Sequence, residues 1–272
     1  MSVKLFIGGQ PVAALDPADR GLAYGDGLFE TLRFHAGQPV WWDAHLDRLE
    51  RGATRLGIDP PDRVWLRAQA GPMMAGNGVL KLILSRGSGG RGYRIPEHSQ
   101  PALVLSRHPL PPSCPAAGLN LRWCRLRLAA QPELAGLKHL NRLEQVLARA
   151  EWSDPAIDEG LLCDASGNLV SAVSGNVFLR IADHWVTPRL DACGIAGICR
   201  AWLIAETGAS LADIARAEVE RADALFVCNS VRGILPVATL DGRAWPADSE
   251  TRRLIDRLAK HQPAFALPME AT

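Results

Sequence analysis

The sequence is nearly without net charge: 30 lysines and arginines stand against 29 aspartates and glutamates in 272 residues, leaving a formal +1. That balance excludes a strong electrostatic commitment to nucleic acid or to a membrane surface and points to a small-molecule partner. No apolar run approaches the roughly 18 residues of a membrane span. The six cysteines (114, 124, 163, 193, 199, 228) are scattered, with no C-x-x-C pair and no histidines at zinc spacing, so no metal site is expected. They read as free thiols in a reducing, cytoplasmic setting. Internal repeats and low-complexity tracts are missing too. The opening MSVKLFIGGQPV reaches Gly-Gly too soon for a signal peptide.

What is present begins with LKHLNRLEQVLARA, residues 137–150. Leu143, Val146, Leu147 and Ala150 recur at helical spacing, with Asn141 at the N-cap position and Glu144 three residues on, as in a capping box. The spacing predicts a helix over 142–152, ended before Pro155, with Lys138 just upstream among apolar neighbours. A lysine held in a partly dry site has its charged form disfavoured and becomes nucleophilic. Spacing alone favours a snorkelling surface lysine.

Elsewhere, residues 4–7 and 11–14 flank Gly8-Gly9 as a β-hairpin, and residues 20–27 form a glycine-bearing loop. In the strand that follows, alternation puts Phe29, Thr31 and Arg33 on one face. Leu46, Leu49, Ala53 and Leu56 mark the buried stripe of a helix capped by Asp43, on which His45 and Arg48 stand one turn apart. The segment RGSGGRGYR, residues 86–94, is not a nucleotide-binding P-loop; it is a glycine-rich loop with anion-binding capacity. Prolines at 109, 111, 112 and 115 mark a linker. The chain therefore divides into a small α/β domain (1–107), a linker (108–116) and a larger domain (117–272). Gly194-Ile195-Ala196-Gly197 precedes an apolar helix, whose free N–H groups suit an anion. Residues 249–261 form an amphipathic helix, and the last residues are expected to be loose.

LKHLNRLEQVLARAE resembles the lysine segment of the fold-type IV pyridoxal-phosphate (PLP) enzymes, most closely that of the 4-amino-4-deoxychorismate lyases. YGDGLFETLRF, KLILSRGSGGRGY and TPRLDACGIAGICR extend the resemblance over nearly the whole chain, in the family's order. It implies an α+β, two-domain fold with a curved sheet in the larger, PLP-binding domain, and a homodimer. Lys138 would hold the cofactor and act as base, with Thr31 as a further catalytic group. Arg48, Gly197, Ile198, Cys199 and Ser230 would bind phosphate. Arg91, with Arg33, Arg86 and Tyr93, would meet a dicarboxylate substrate. The implied reaction cleaves 4-amino-4-deoxychorismate to 4-aminobenzoate and pyruvate, on the route to folate. A D-amino-acid or branched-chain aminotransferase of the same fold, and a non-catalytic PLP-binding protein, remain the alternatives. One position departs from the pattern: Ser171 stands where the family has a glutamate that pairs with the pyridine nitrogen and maintains the ring as an electron sink.

Overall fold

Strands of alternating burial build the first sheet. In the computed structural model, which describes residues 2–266, the chain divides into two compact units. Of the described residues, those up to 110 with Leu137–Asn141 form one, and residues 111–136 with those from 142 onward the other.

Unit 1 contains β1 (Val3–Ile7), β2 (Gln10–Pro11), α1 (Arg20–Tyr24), β3 (Gly27–His35), β4 (Gln38–Pro39), α2 (Trp42–Leu56), α3 (Arg63–Ala70), β5 (Gly78–Ser85) and β6 (Ala102–His108). The six strands form an antiparallel sheet in the order β2-β1-β6-β5-β3-β4. Leu28, Leu32 and Phe34 of β3 and Leu80, Leu82 and Leu84 of β5 pack on Leu46, Leu49 and Ala53 of α2, which is the stripe that the helical spacing marks out. The stretch 20–27, read from sequence as a loop, opens with a single helical turn. The Asp19 carboxylate caps it by accepting from Gly21 and Leu22 N–H, and Gly25, left-handed at φ 67°, ends it. α2 begins one residue before Asp43, with Trp41 as its cap.

Unit 2 contains β7 (Leu119–Leu128), α4 (Leu143–Arg149), β8 (Glu159–Asp164), β9 (Asn168–Ala172), β10 (Asn176–Ile181), β11 (His184–Pro188), α5 (Ile198–Thr207), β12 (Ser210–Ala212), β13 (Ile214–Ala215), α6 (Arg216–Arg221), β14 (Ala224–Asn229), β15 (Gly233–Leu240), β16 (Arg243–Ala244) and α7 (Ser249–His261). Its ten-stranded sheet runs β12-β11-β10-β14-β15-β7-β8-β9-β13, with β16 paired to β15. β9 also lies against β10 and β11, so the sheet rolls toward a barrel. The fold is α+β, with few helices.

The helix after the lysine differs from its expectation. It is shorter, Leu143–Arg149, and no side chain caps it. Asn141 instead donates its side-chain N–H to Gly25 O at 3.3 Å, and the Glu144 carboxylate accepts from Ala129 N–H at 2.8 Å. Its apolar stripe is turned outward: Leu143, Val146 and Leu147 are 75%, 59% and 60% exposed. Ala148 is the residue buried, against Trp152, Leu162 and Val170. The expected loose end, residues 267–272, lies outside the described residues. No helix among the described residues is long and apolar enough to cross a membrane.

Candidate active site

In unit 1 the site is built on β3. Leu137–Asn141 runs beside this strand without entering the sheet: Phe29 N–H donates to Lys138 O at 2.9 Å and Leu140 N–H to Gly27 O at 3.0 Å. This pairing groups the lysine segment with unit 1, whereas the 117–272 boundary would leave it in the larger domain. Lys138 is half-buried, and its Nζ stands 4.2 Å from the centroid of the Phe29 ring. The ring face attracts an ammonium while its apolar surface displaces water. Thr31 and Arg33 follow Phe29 on the same half-buried face of β3.

The opposite face of β3 carries Glu30, only 1% exposed and in phase with Leu28 and Leu32. Arg48 clamps its carboxylate with two hydrogen bonds, Nε to Oε1 at 2.7 Å and Nη2 to Oε2 at 2.6 Å. His45 Nδ1 lies 2.6 Å from the same Oε2. Burial works against ionisation of Glu30, but Arg48 and His45 outweigh it and hold the carboxyl at about 2. Burial also pushes the His45 imidazole below its ordinary value, against the pull of Glu30; the charges of Arg48 and Lys138 push it the same way. A neutral His45 donates Nδ1–H to Glu30 and leaves Nε2 buried without a hydrogen-bond partner. Sequence reasoning found Arg48 but not Glu30, although a carboxylate at a core-phase position was a signal that something must pair with it.

The glycine-arginine loop is divided in its roles. Arg86, expected at the substrate, is 3% exposed and fully engaged in structure. It donates to both Asp26 oxygens (2.7 and 3.0 Å) and to the carbonyls of Leu56 and Gly57 (2.7 Å each), where it closes the C-terminal end of α2. Its assignment to the substrate is therefore withdrawn. Arg91 is exposed, as is Tyr93, whose ring meets Tyr24 edge-on at 5.4 Å.

Unit 2 carries a separate group of candidate residues. Gly197 is the N-cap of α5, and no side chain caps that helix, so its first amides point outward at the positive end of the dipole. A Cβ at Gly197 would collide with the Asn176 amide, which is itself tied to Ile195 O at 2.9 Å. Ile198 and Cys199 follow as the first helical residues, the Cys199 thiol fully buried against Cys228. Arg200 is structural, donating to Thr187 and to Pro188 O. Ser230 sits in the turn after β14, which Asn229 closes by accepting from Val231 and Arg232 N–H at 3.0 and 2.8 Å.

Ser171 is buried on β9 opposite Leu162 of β8. Leu162 packs with Cys124 and Trp152, whereas Leu161 and Cys163 pack in the larger cluster. Alternation along β8 therefore puts Glu159 on the face away from Ser171. There Glu159 accepts from the Ser174 hydroxyl and from Gly160 N–H. Asp164 is held in the hairpin turn by Asn168 N–H at 2.9 Å. Both β8 carboxylates thus have partners of their own within unit 2.

A family model described as amino-transferase class IV matches residues 27–240. The chain is 32% identical over 263 residues to the aminodeoxychorismate lyase of Vibrio harveyi, spanning 92% of this chain and 97% of that one. It is 28% identical over 258 residues to a putative branched-chain-amino-acid aminotransferase of Methanocaldococcus jannaschii, with 89% of each covered. Among solved structures, 4-amino-4-deoxychorismate lyase from Pseudomonas aeruginosa superposes with a TM-score of 0.88 at 46% identity, over 95% of this chain and 99% of that one.

Proposed function

The chain belongs to the class IV amino-transferase family, and from that premise we propose that it is a PLP-dependent carbon–oxygen lyase converting 4-amino-4-deoxychorismate to 4-aminobenzoate and pyruvate. The observation that carries this reading is Lys138, half-buried with its amine over the Phe29 ring, in a chain similar along its length to such lyases.

The residues present fit the cofactor. The uncapped N-terminus of α5 leaves amides of Ile198 and Cys199 for a phosphate, and glycine at 197 lets the helix start against the Asn176 side chain. The Ser230 hydroxyl is a further phosphate donor of unit 2, and Arg48, held in place by Glu30, is the candidate of unit 1. When bound, PLP supplies an electron sink to the carbon bearing the substrate's amine. Lys138 would hold the cofactor through its amine and, as a free amine, would take the proton from C4 of the substrate. Enolpyruvate departs from the neighbouring carbon as the ring becomes aromatic. Lys138 or Thr31 returns a proton to complete pyruvate. Arg91, with Arg33 and Tyr93, receives the substrate's carboxylates.

Ser171 favours the lyase over the aminotransferase. A hydroxyl can hydrogen-bond the pyridine nitrogen but has no charge to keep it protonated, so the sink is weaker. Formation of an aromatic ring supplies driving force that transamination lacks. We further propose a homodimer in the cytoplasm, feeding folate synthesis. Six free cysteines, four of them buried, fit a reducing compartment, and the apolar outer face of α4 fits a second copy.

The test is the visible spectrum of the protein with PLP, before and after borohydride, beside Lys138→Ala. The expected result is a yellow species that borohydride fixes onto the Lys138 peptide, that the variant lacks, and that accompanies release of 4-aminobenzoate. A protein that takes up no PLP would overturn the proposal.

A further inference from the structure

Arg20 has no place in the chemistry above, yet it is 4% exposed and carries a charge. A buried guanidinium must be matched by acceptors. Its Nε donates to Asp26 Oδ2 at 2.9 Å, but that carboxylate already serves Arg86 at 2.7 Å. Burial raises the Asp26 carboxyl, and the hydrogen bonds from Arg86 and Arg20 overcome this and bring it below its ordinary value. Two cations thus share one anion. Arg86 finds its remaining acceptors in the carbonyls at the negative end of α2. Arg20 finds its own in three consecutive carbonyls of the glycine-arginine loop: Nη1 donates to Gly92 O at 3.1 Å and Arg94 O at 3.4 Å, and Nη2 to Tyr93 O at 3.3 Å.

The loop is fastened to the same turn in other ways. Arg20 N–H donates to Gly87 O at 2.9 Å, Gly92 N–H to the Tyr24 hydroxyl at 3.1 Å, and the Arg20 guanidinium lies over the Tyr24 ring at 4.9 Å. At its other end the turn carries the lysine segment, through Asn141 on Gly25 O and Leu140 on Gly27 O. One short stretch, residues 20–27, therefore holds both the loop that bears Arg91 and the segment that bears Lys138.

We propose that Arg20 is a positioning residue for substrate recognition: by gathering the carbonyls of Gly92, Tyr93 and Arg94 it fixes the loop in register with the lysine segment, so that Arg91 meets the substrate's carboxylate. The inference rests on the reading of Arg91 given above. Loss of the guanidinium frees the loop without touching the amine, so its effect falls on substrate affinity.

The experiment compares PLP-loaded Arg20→Gln, Arg20→Lys, Tyr24→Phe and Arg91→Gln enzymes in 4-aminobenzoate release and in trypsin cleavage after Arg91 and Arg94. Arg20→Gln is expected to raise KM roughly tenfold or more, with kcat and cofactor absorbance within about twofold. Trypsin should cut its loop on the order of ten times faster. Arg20→Lys falls between, because one ammonium cannot span four acceptors, and Tyr24→Phe moves both readouts the same way by less. If circular dichroism shows Arg20→Gln to be unfolded, Tyr24→Phe decides. An unchanged KM in Arg20→Gln and Tyr24→Phe while Arg91→Gln raises it overturns the inference, as does a loop cut at the wild-type rate. An Arg91→Gln enzyme with unaltered KM would instead show that Arg91 does not meet the substrate, and the inference would fall with that reading.

Discussion

Glu30 shows how much a single buried carboxylate governs. Its folded-state value of about 2 lies below its ordinary 4.5, so ionisation of Glu30 stabilises the fold. That contribution is present in full above about pH 4.5 and is lost progressively as the pH falls through about 2, when the carboxyl must take up a proton to remain buried. Urea unfolding from pH 7 down to pH 2 should show the decline, and Glu30→Gln should flatten it. The same variant leaves the Arg48 charge without its partner, at a cost of about 3–5 kcal/mol at pH 7, and should weaken PLP binding as measured by fluorescence titration. Ser171 makes the opposite kind of case, a departure that only the family resemblance makes readable. On the role proposed for Ser171, Ser171→Glu would set a carboxylate at the pyridine nitrogen, and is expected to raise half-transamination with D-alanine, seen as loss of the yellow colour, by roughly tenfold. The same reaction remaining slow in Ser171→Glu would argue against Ser171 as the pyridine partner. Arg48 was singled out through the resemblance, its spacing to His45 alone marking no more than a polar helix face, and Glu30 and Arg20 were not singled out at all. A strand pattern shows that a position is buried, never which distant helix or loop will neutralise it.

At the scale of elements, periodicity located the helices better than it oriented them. The stripe of α2 and the span of α7 are as the spacing predicts, because their apolar residues have a core to face. α4 has the same periodicity and the opposite outcome. Its stripe faces out in the single chain, so Leu147→Ala is expected to weaken self-association while changing the stability of the separate chain by less than about 0.5 kcal/mol, whereas Leu161→Ala in the core of β8 should cost about 2–5 kcal/mol. Chemical denaturation of the two variants checks this. α1 escaped the sequence reading for another reason: a helix of five residues is too short to display a period. Its closing residue matters most. Gly25 is left-handed, and a Cβ there would strike the Asn141 side chain. Gly25→Ala is expected to lose about 1–2 kcal/mol from backbone strain and to displace the lysine segment, lowering the fraction of protein that borohydride can fix to the cofactor.

For the whole molecule, the proline run from 109 to 115 falls where the chain passes from one unit to the other. The return of Leu137–Asn141 to unit 1 left no such mark. Five residues with two hydrogen bonds to β3 have no composition of their own, and only the strand they lie against reveals them. Separate expression of residues 1–110 and 111–272 would leave Lys138 on one piece and Gly27 and Phe29 on the other. Neither piece is expected to be labelled by PLP and borohydride, which mass spectrometry would show. The same threading sets an order of events during synthesis. A ribosome releases every strand of the first sheet before the segment that must lie against β3, and that segment arrives tethered to a second sheet whose strands have mostly yet to be made. Lys138 is thus among the last parts of unit 1 to find its place, so on the reading proposed for it the emerging chain has no finished cofactor-binding centre while its first sheet assembles.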